Sequence, residues 1–195
     1  PRPDVATIAT ERGSLVVPAA PIRSAAGVTY FGRDLWAGRT VWAMDGYPSH
    51  PDYRDFHRDL GFDAAELDLL GEVGPNGTRV ATGLKLHRVT GPGPHKEPYD
   101  PAQARVRAAA HAASFIGDRA RFFAALPESH PPPLSVVPFD AELFGHFWHE
   151  GPLFLEEVLR NLAAARAAGG PAPVSLSDMA SRYQLLERTE PAAST

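Results

Sequence analysis

The spacing of apolar and polar positions divides the chain into alternating extended and helical stretches. "GVTYF", Gly27 to Phe31, is β-branched and aromatic and predicts a strand. Before it, the Ala-, Pro- and Arg-rich opening holds one strand-like run at Ser14 to Val17 and is otherwise loop. After it, "GRDLWAGRTVWAMDGYPSH" is broken by glycine and proline, so a long irregular excursion is expected, and such excursions usually carry function. "HPDYRDFHRDLGF" predicts a short helix: Pro51 suits its first turn, Asp52 and Asp55 its positive end, and Tyr53, Phe56 and Leu60 share a face before Gly61 ends it.

Val80, Thr82, Leu84, Leu86 and Val89 then alternate as in a strand, which "GPGPHKEPYDP" breaks. Asp100 and Pro101 form an N-cap and first-turn pair, opening a helix expected to bury Val106, Ala110, Ala113, Ile116, Ala120 and Phe123. Leu134, Val136 and Val137 predict a short buried strand ending near Asp140. A helix from about Pro152 turns Phe154, Leu155, Val158, Leu159 and Leu162 inward and closes at Gly169 and Gly170. Ser175 and Asp178 open a last helix with a capping-box pattern. Strands alternating with helices predict a parallel α/β sheet or barrel, with too few units to close a barrel.

Composition narrows the function classes. A chain of 195 residues with 44% hydrophobic content can bury a sizeable core. Nineteen basic against 23 acidic side chains give a net charge of −4, and no like-charge cluster appears, which argues against electrostatic capture of nucleic acid or an acidic membrane. A neutral ligand fits better. With no cysteine, disulfides and thiolate metal sites are excluded, a composition compatible with a reducing cytoplasm. The apolar runs are far short of a membrane span, and no charged-then-apolar leader precedes them. The chain starts "PRPDVATIAT" and stops at "EPAAST", which reads as a processed product or a fragment.

The chemistry-bearing residues concentrate in "PFDAELFGHFWHEGP". Asp140 falls where the predicted strand ends, the edge at which α/β folds collect catalytic groups, and Glu142 lies two positions on. A general acid needs a carboxyl group there beside a second carboxylate in a different environment, although both residues also suit a solvated loop. His146 and His149 could share a helical face with Asp140 as metal ligands, but the string lacks the H-E-x-x-H spacing, and hydrogen bonds to backbone or substrate are the alternative. Trp36, Trp42, Tyr47, Phe144, Phe147 and Trp148 fall in loop-like segments. Individually each suits a core cap; together with the carboxylates they suit the C–H-rich faces of sugar rings, with Arg33, Asp34 and His87 as polar partners. No phosphate-binding fingerprint or nucleophile elbow is present.

Taken in order, "YFGRD…VW…GYP…YRDFHRDLGFD…TGLKLHRVTG…KEPYDP…PFDAELFGHFWHEGP" resembles glycoside hydrolase family 57, and within it the 1,4-α-glucan branching enzymes. The similarity runs from about Gly27 to Leu162 and continues more weakly to the end. The resemblance implies an incomplete (β/α)7 barrel, of which residues 1–150 are part, including the acid/base loop, followed by the start of a helical C-terminal region over 151–195. It implies retaining transfer that forms α-1,6 branches in α-glucans such as amylose and glycogen, in a cytoplasmic enzyme, monomeric when intact, with no metal and no organic cofactor.

By the same resemblance Asp140 is the catalytic acid/base, and Arg33, Ser49, Trp42, His146, Phe147 and Trp148 are substrate-binding. Ser49 stands where the family usually has Gly in "GYPGD", and Phe147 where it has the first Trp of "GHWW". The block carrying the family's Glu nucleophile has no counterpart here, so the chain is expected to hold the acid/base half of a site and to be inactive alone. A non-catalytic glucan-binding remnant and a family 57 amylase or 4-α-glucanotransferase are the competing readings.

Overall fold

The computed structural model describes residues 6–10, 13–17, 19–63, 75–126 and 133–182. The chain forms two compact units, one from residues 1–43, 113–139 and 159–195, the other from 44–112 and 140–158. Among the described residues, strands pair only as antiparallel two-stranded sheets, and parallel pairing is limited to the single bridges Arg33–Val136 and Phe144–Trp148. The pattern is mixed helix and short extended segments. No helix among the described residues is long and apolar enough to cross a membrane.

In the first unit, β1 (Ala6–Thr10) pairs with β2 (Gly13–Val17), and β3 (Ile22–Arg23) with β4 (Thr29–Tyr30). The run Ser14 to Val17 is therefore a strand, and part of the predicted opening loop supplies its partner. The expected irregular excursion begins instead with a helix, α1 (Leu35–Trp42). Its start is built by Asp34, whose Oδ1 accepts the Ala37 N–H at 2.9 Å, satisfying an otherwise orphaned donor. Asp34 is buried and pairs with the guanidinium of Arg119, while Ser135 Oγ donates to it at 2.7 Å.

The predicted strand at Leu134, Val136 and Val137 is not regular. Leu134 N donates to Ala19 O and Asp34 N to Val136 O, each at 2.8 Å. Its backbone groups are thus divided between separate partners rather than entering one ladder. Leu134 is nonetheless core, packed with Met179 of α5 (Leu176–Arg182) and with Phe31 and Val136. Ser175 caps α5 as predicted, its Oγ accepting the Asp178 N–H at 3.0 Å.

In the second unit, the predicted helix over 51–61 shrinks to α2 (Leu60–Asp63). Its backbone is used elsewhere: Asp55 N donates to His87 O, Val89 N to Tyr53 O and Leu60 N to Leu84 O at 2.8–2.9 Å. On its far side the partner segment, residues 84–89, accepts Tyr99 N on Leu86 O and donates from Arg88 N to Glu97 O. Residues 84–89 are thus extended and flanked on two sides, yet remain single bridges rather than a continuous strand. Pro98, at one bridge, has no N–H to extend a ladder.

α3 (Pro101–Ala124) is the longest helix; it buries Ile116 as expected, but the rest of its buried face is not the expected one. Ala104, Ala108, Ala112, Phe115, Ile116 and Arg119 are buried, whereas Val106 is 72% exposed. Ala104, Ala108, Ala112, Phe115 and Arg119 recur three or four positions apart and so share one face, while Val106 falls on the other side. α4 (Gly151–Ala167) buries Phe154 and Val158 as expected, but leaves Leu159 exposed. A Cβ on Gly151 would stand 2.9 Å from Phe144 Cα, so only glycine lets α4 start against the loop that precedes it.

Candidate functional site

The second unit's core is aromatic, and Trp148 is at its centre. The indole is buried, with ring centroids of Tyr53, Phe154 and Phe144 at 5.3, 5.0 and 6.4 Å. Beside it Glu150 is fully buried, its Oε1 accepting the Arg54 N–H at 3.1 Å. Burial, and next the Glu150 carboxylate, pushes the Tyr53 hydroxyl well above its ordinary value. Burial likewise raises Tyr99, helped by a hydrogen bond to Glu150.

Tyr53 reaches His111 on α3, the hydroxyl and Nδ1 sharing a hydrogen bond at 2.8 Å. Tyr47 stacks on the same imidazole at 4.2 Å with 14° between planes, and His50 meets its edge at 5.2 Å. Burial above all, then His50 and Arg107, lowers His111 to about 4. Burial and Arg107 lower His50 too, against the opposing pull of Asp52. Neutral imidazole therefore faces neutral phenol at pH 7.

These rings back a cavity of about 480 Å³ lined by Met44, Asp45, Gly46, Tyr47, Ser49, His50, Pro51 and His111. Its wall is a 3-10 turn over Tyr47–Ser49, in which Ser49 N donates to Gly46 O at 3.1 Å and His50 N to Tyr47 O at 3.0 Å. A carboxylate, a hydroxyl and two uncharged imidazoles converge on a space of ligand size, a donor and acceptor set suited to a neutral polyhydroxylated molecule. Among the described residues no three His, Cys, Asp or Glu are grouped as metal ligands.

The loop from Asp140 is the second feature. Asp140 is exposed at the start of a 3-10 turn over Ala141–Leu143; its carbonyl accepts the Leu143 N–H at 3.1 Å, and its carboxylate takes no part in capping. Glu142 O and Leu143 O then accept from Phe147 N and Trp148 N at 3.2 and 2.8 Å. These bonds fold the loop back so that His146 and Phe147 are exposed while Trp148 points into the core. Gly145, at φ +99°, makes the reversal possible. Phe56 meets Phe147 at 5.1 Å and His146 at 5.6 Å.

Of the residues singled out from sequence, Asp140, His146, Phe147 and Trp148 therefore share one loop, and Ser49 lines the cavity in the same unit. Arg33 and Trp42 belong to the first unit. Arg33 lies along α1 near Gly38 and donates from Nη2 to Pro138 O at 3.4 Å, and Trp42 is half-exposed at the end of the helix. Sequence reasoning missed Tyr53, Phe56 and His111 as site residues. His111 lies on α3 between the buried Ala108 and Ala112, a face that the sequence reading did not place.

No family model matches the chain. A probable 1,4-alpha-glucan branching enzyme of Mycobacterium tuberculosis is 38% identical over 156 residues, which is 77% of this chain and 26% of that protein. The chain thus spans about a quarter of the length of that curated relative. The crystal structure of the alpha-amylase AmyC from Thermotoga maritima superimposes with a TM-score of 0.80 at 31% identity, over 94% of this chain and 35% of that one. A GH57-type branching enzyme from Pyrococcus horikoshii superimposes with a TM-score of 0.64 at 30% identity, over 89% of this chain and 28% of that one.

Proposed function

We infer the function from one premise: over most of its length the chain is homologous to branching enzymes of glycoside hydrolase family 57. It contributes the acid/base half of an active site that cuts an α-1,4 bond in an α-glucan and rejoins the chain as an α-1,6 branch. The observation that supports this most directly is the exposed Asp140 at the head of a loop whose next turn presents His146 and Phe147. Asp140 protonates the departing glycosidic oxygen and then takes the proton from the acceptor's 6-hydroxyl, the two half-reactions of a retaining mechanism. Phe147 offers a flat face to a glucosyl ring, His146 a polar edge, and Trp148 holds the loop from beneath. Arg33, Trp42 and Ser49 complete the glucan contacts.

The carboxylate that forms the covalent intermediate comes from elsewhere in the protein, since no glutamate here matches the nucleophile's context; the 195 residues alone are inactive. Residues 1–150 are part of an incomplete (β/α)7 barrel and 151–195 open a helical region.

Amylose incubated with the full-length protein, then treated with an α-1,6-specific debranching enzyme, should release short chains. Asp140→Asn should lower that rate by roughly 10²- to 10⁴-fold, the usual contribution of a positioned general acid, with glucan affinity nearly unchanged. Full activity in Asp140→Asn would sink the assignment. The close superposition on an alpha-amylase favours hydrolysis as the second reading. Under it the products shorten and contain only α-1,4 bonds.

A further inference from the structure

The backbone bonds that close the 140–150 loop set its trace but leave the side-chain torsions of His146 and Phe147 open. Their rings are held from a different segment. Phe56 packs against Phe147 with the planes tilted by 54° and against the His146 ring at 74°. Phe56 is itself fixed by Lys85, whose Nζ donates to Phe56 O at 2.6 Å and to Arg58 O at 3.3 Å and stands 5.1 Å from the Phe56 ring centroid. Asp59 Oδ2, 4.0 Å from the same Nζ, helps hold the side chain in place. Lys85 is largely buried for a lysine, with a side-chain exposure of 20%, so its donors are committed locally rather than to solvent.

We propose that Phe56 and Lys85 are positioning residues for glucan binding: Lys85 clamps Phe56, and Phe56 sets the orientation in which His146 and Phe147 meet a glucosyl ring. The inference rests on the reading of His146 and Phe147 as sugar contacts. A ring that stacks on a sugar must be presented at one angle, and an exposed aromatic without a backing neighbour samples several rotamers and loses affinity in ordering them. Phe56 removes that cost through edge contacts. Lys85 does so at one remove, through the Phe56 carbonyl and ring face.

The test is the affinity of the full-length protein for maltoheptaose, measured calorimetrically beside the melting temperature, for Phe147→Ala, Phe56→Ala, Phe56→Leu, Phe56→Tyr and Lys85→Met. Phe56→Leu keeps apolar volume but lacks a planar edge, and should weaken binding about 2- to 10-fold, the equivalent of one aromatic pair. Phe56→Tyr should restore it, and Lys85→Met should fall between. Unchanged affinity in Phe56→Leu, with Phe147→Ala clearly weakened, overturns the positioning role alone. Unchanged affinity in Phe147→Ala overturns the underlying sugar-contact reading. Weakening that tracks the melting temperature equally in Phe56→Leu and Phe56→Tyr assigns Phe56 to the core and also overturns the proposal.

Discussion

At the scale of single residues, Asp59 and His111 tie stability to pH. Asp59 is surrounded by donors: Gly61 N, Thr82 N, Thr82 Oγ1 and Gly83 N all lie 2.8–2.9 Å from its carboxylate oxygens. Desolvation alone would raise its pKa, but those hydrogen bonds together outweigh it and hold the group at about 2. Its contribution is therefore present above the ordinary carboxylate range and is lost as pH falls toward 2. His111 acts in a higher window. With its folded pKa near 4 and an ordinary value of 6.5, the unfolded chain binds more protons between them, so stability rises with pH across that interval. Thermal melts from pH 7 to pH 4 should show a falling midpoint whose slope is reduced in His111→Gln. Asp59→Ala should cost about 1–3 kcal/mol at pH 7 by leaving buried donors unmatched, measurable by urea denaturation.

At the scale of elements, the ends of α4 and α5 were legible, and so was the α4 face through Phe154 and Val158, whereas most of the α3 face was not. The stop at Gly169 and Gly170 was predicted, and the structure shows why: Gly170 N donates to Ala165 O at 2.8 Å and Gly169 N to Arg166 O at 3.1 Å, with Gly169 at φ +79°. This is a Schellman cap. Gly169→Ala should lower stability by about 1 kcal/mol, because alanine resists that backbone conformation. The expected stripe of α3 ran through Val106, Ala110, Ala113, Ile116, Ala120 and Phe123, whereas the buried one keeps Ile116 and otherwise runs through Ala104, Ala108, Ala112, Phe115 and Arg119. Ala108→Leu should destabilise by about 1–3 kcal/mol through overpacking, while Val106→Ala, on the exposed side, should change little. A reversed order in equilibrium unfolding would return the buried face to Val106. α1 was not expected because the glycines and prolines of its stretch predict an irregular excursion, although its Asp34 cap is a signal local enough to have been read.

At the scale of the whole molecule, capture of the native protein with an antibody to this segment should give an intact mass well above 21.0 kDa, since the matched relative is about four times the length of the match. A mass near 21.0 kDa would favour a glucan-binding role without catalysis. The sequence by itself determined the helix that starts at Pro101, the caps at Asp100, Gly169 and Ser175, and the loop on which Asp140, His146 and Phe147 fall. Those features depend on neighbours a few positions apart, through hydrogen bonds and periodicity written locally in the chain. Only the tertiary structure decided that residues 51–59 turn rather than coil, that Trp148 points inward while Phe147 points out, that Tyr53 meets His111, and that Phe56 packs on His146 and Phe147. Each of these depends on partners tens of residues away, such as His87 for Asp55 and Tyr53 for Trp148. Burial and competition for backbone hydrogen bonds there override local preference.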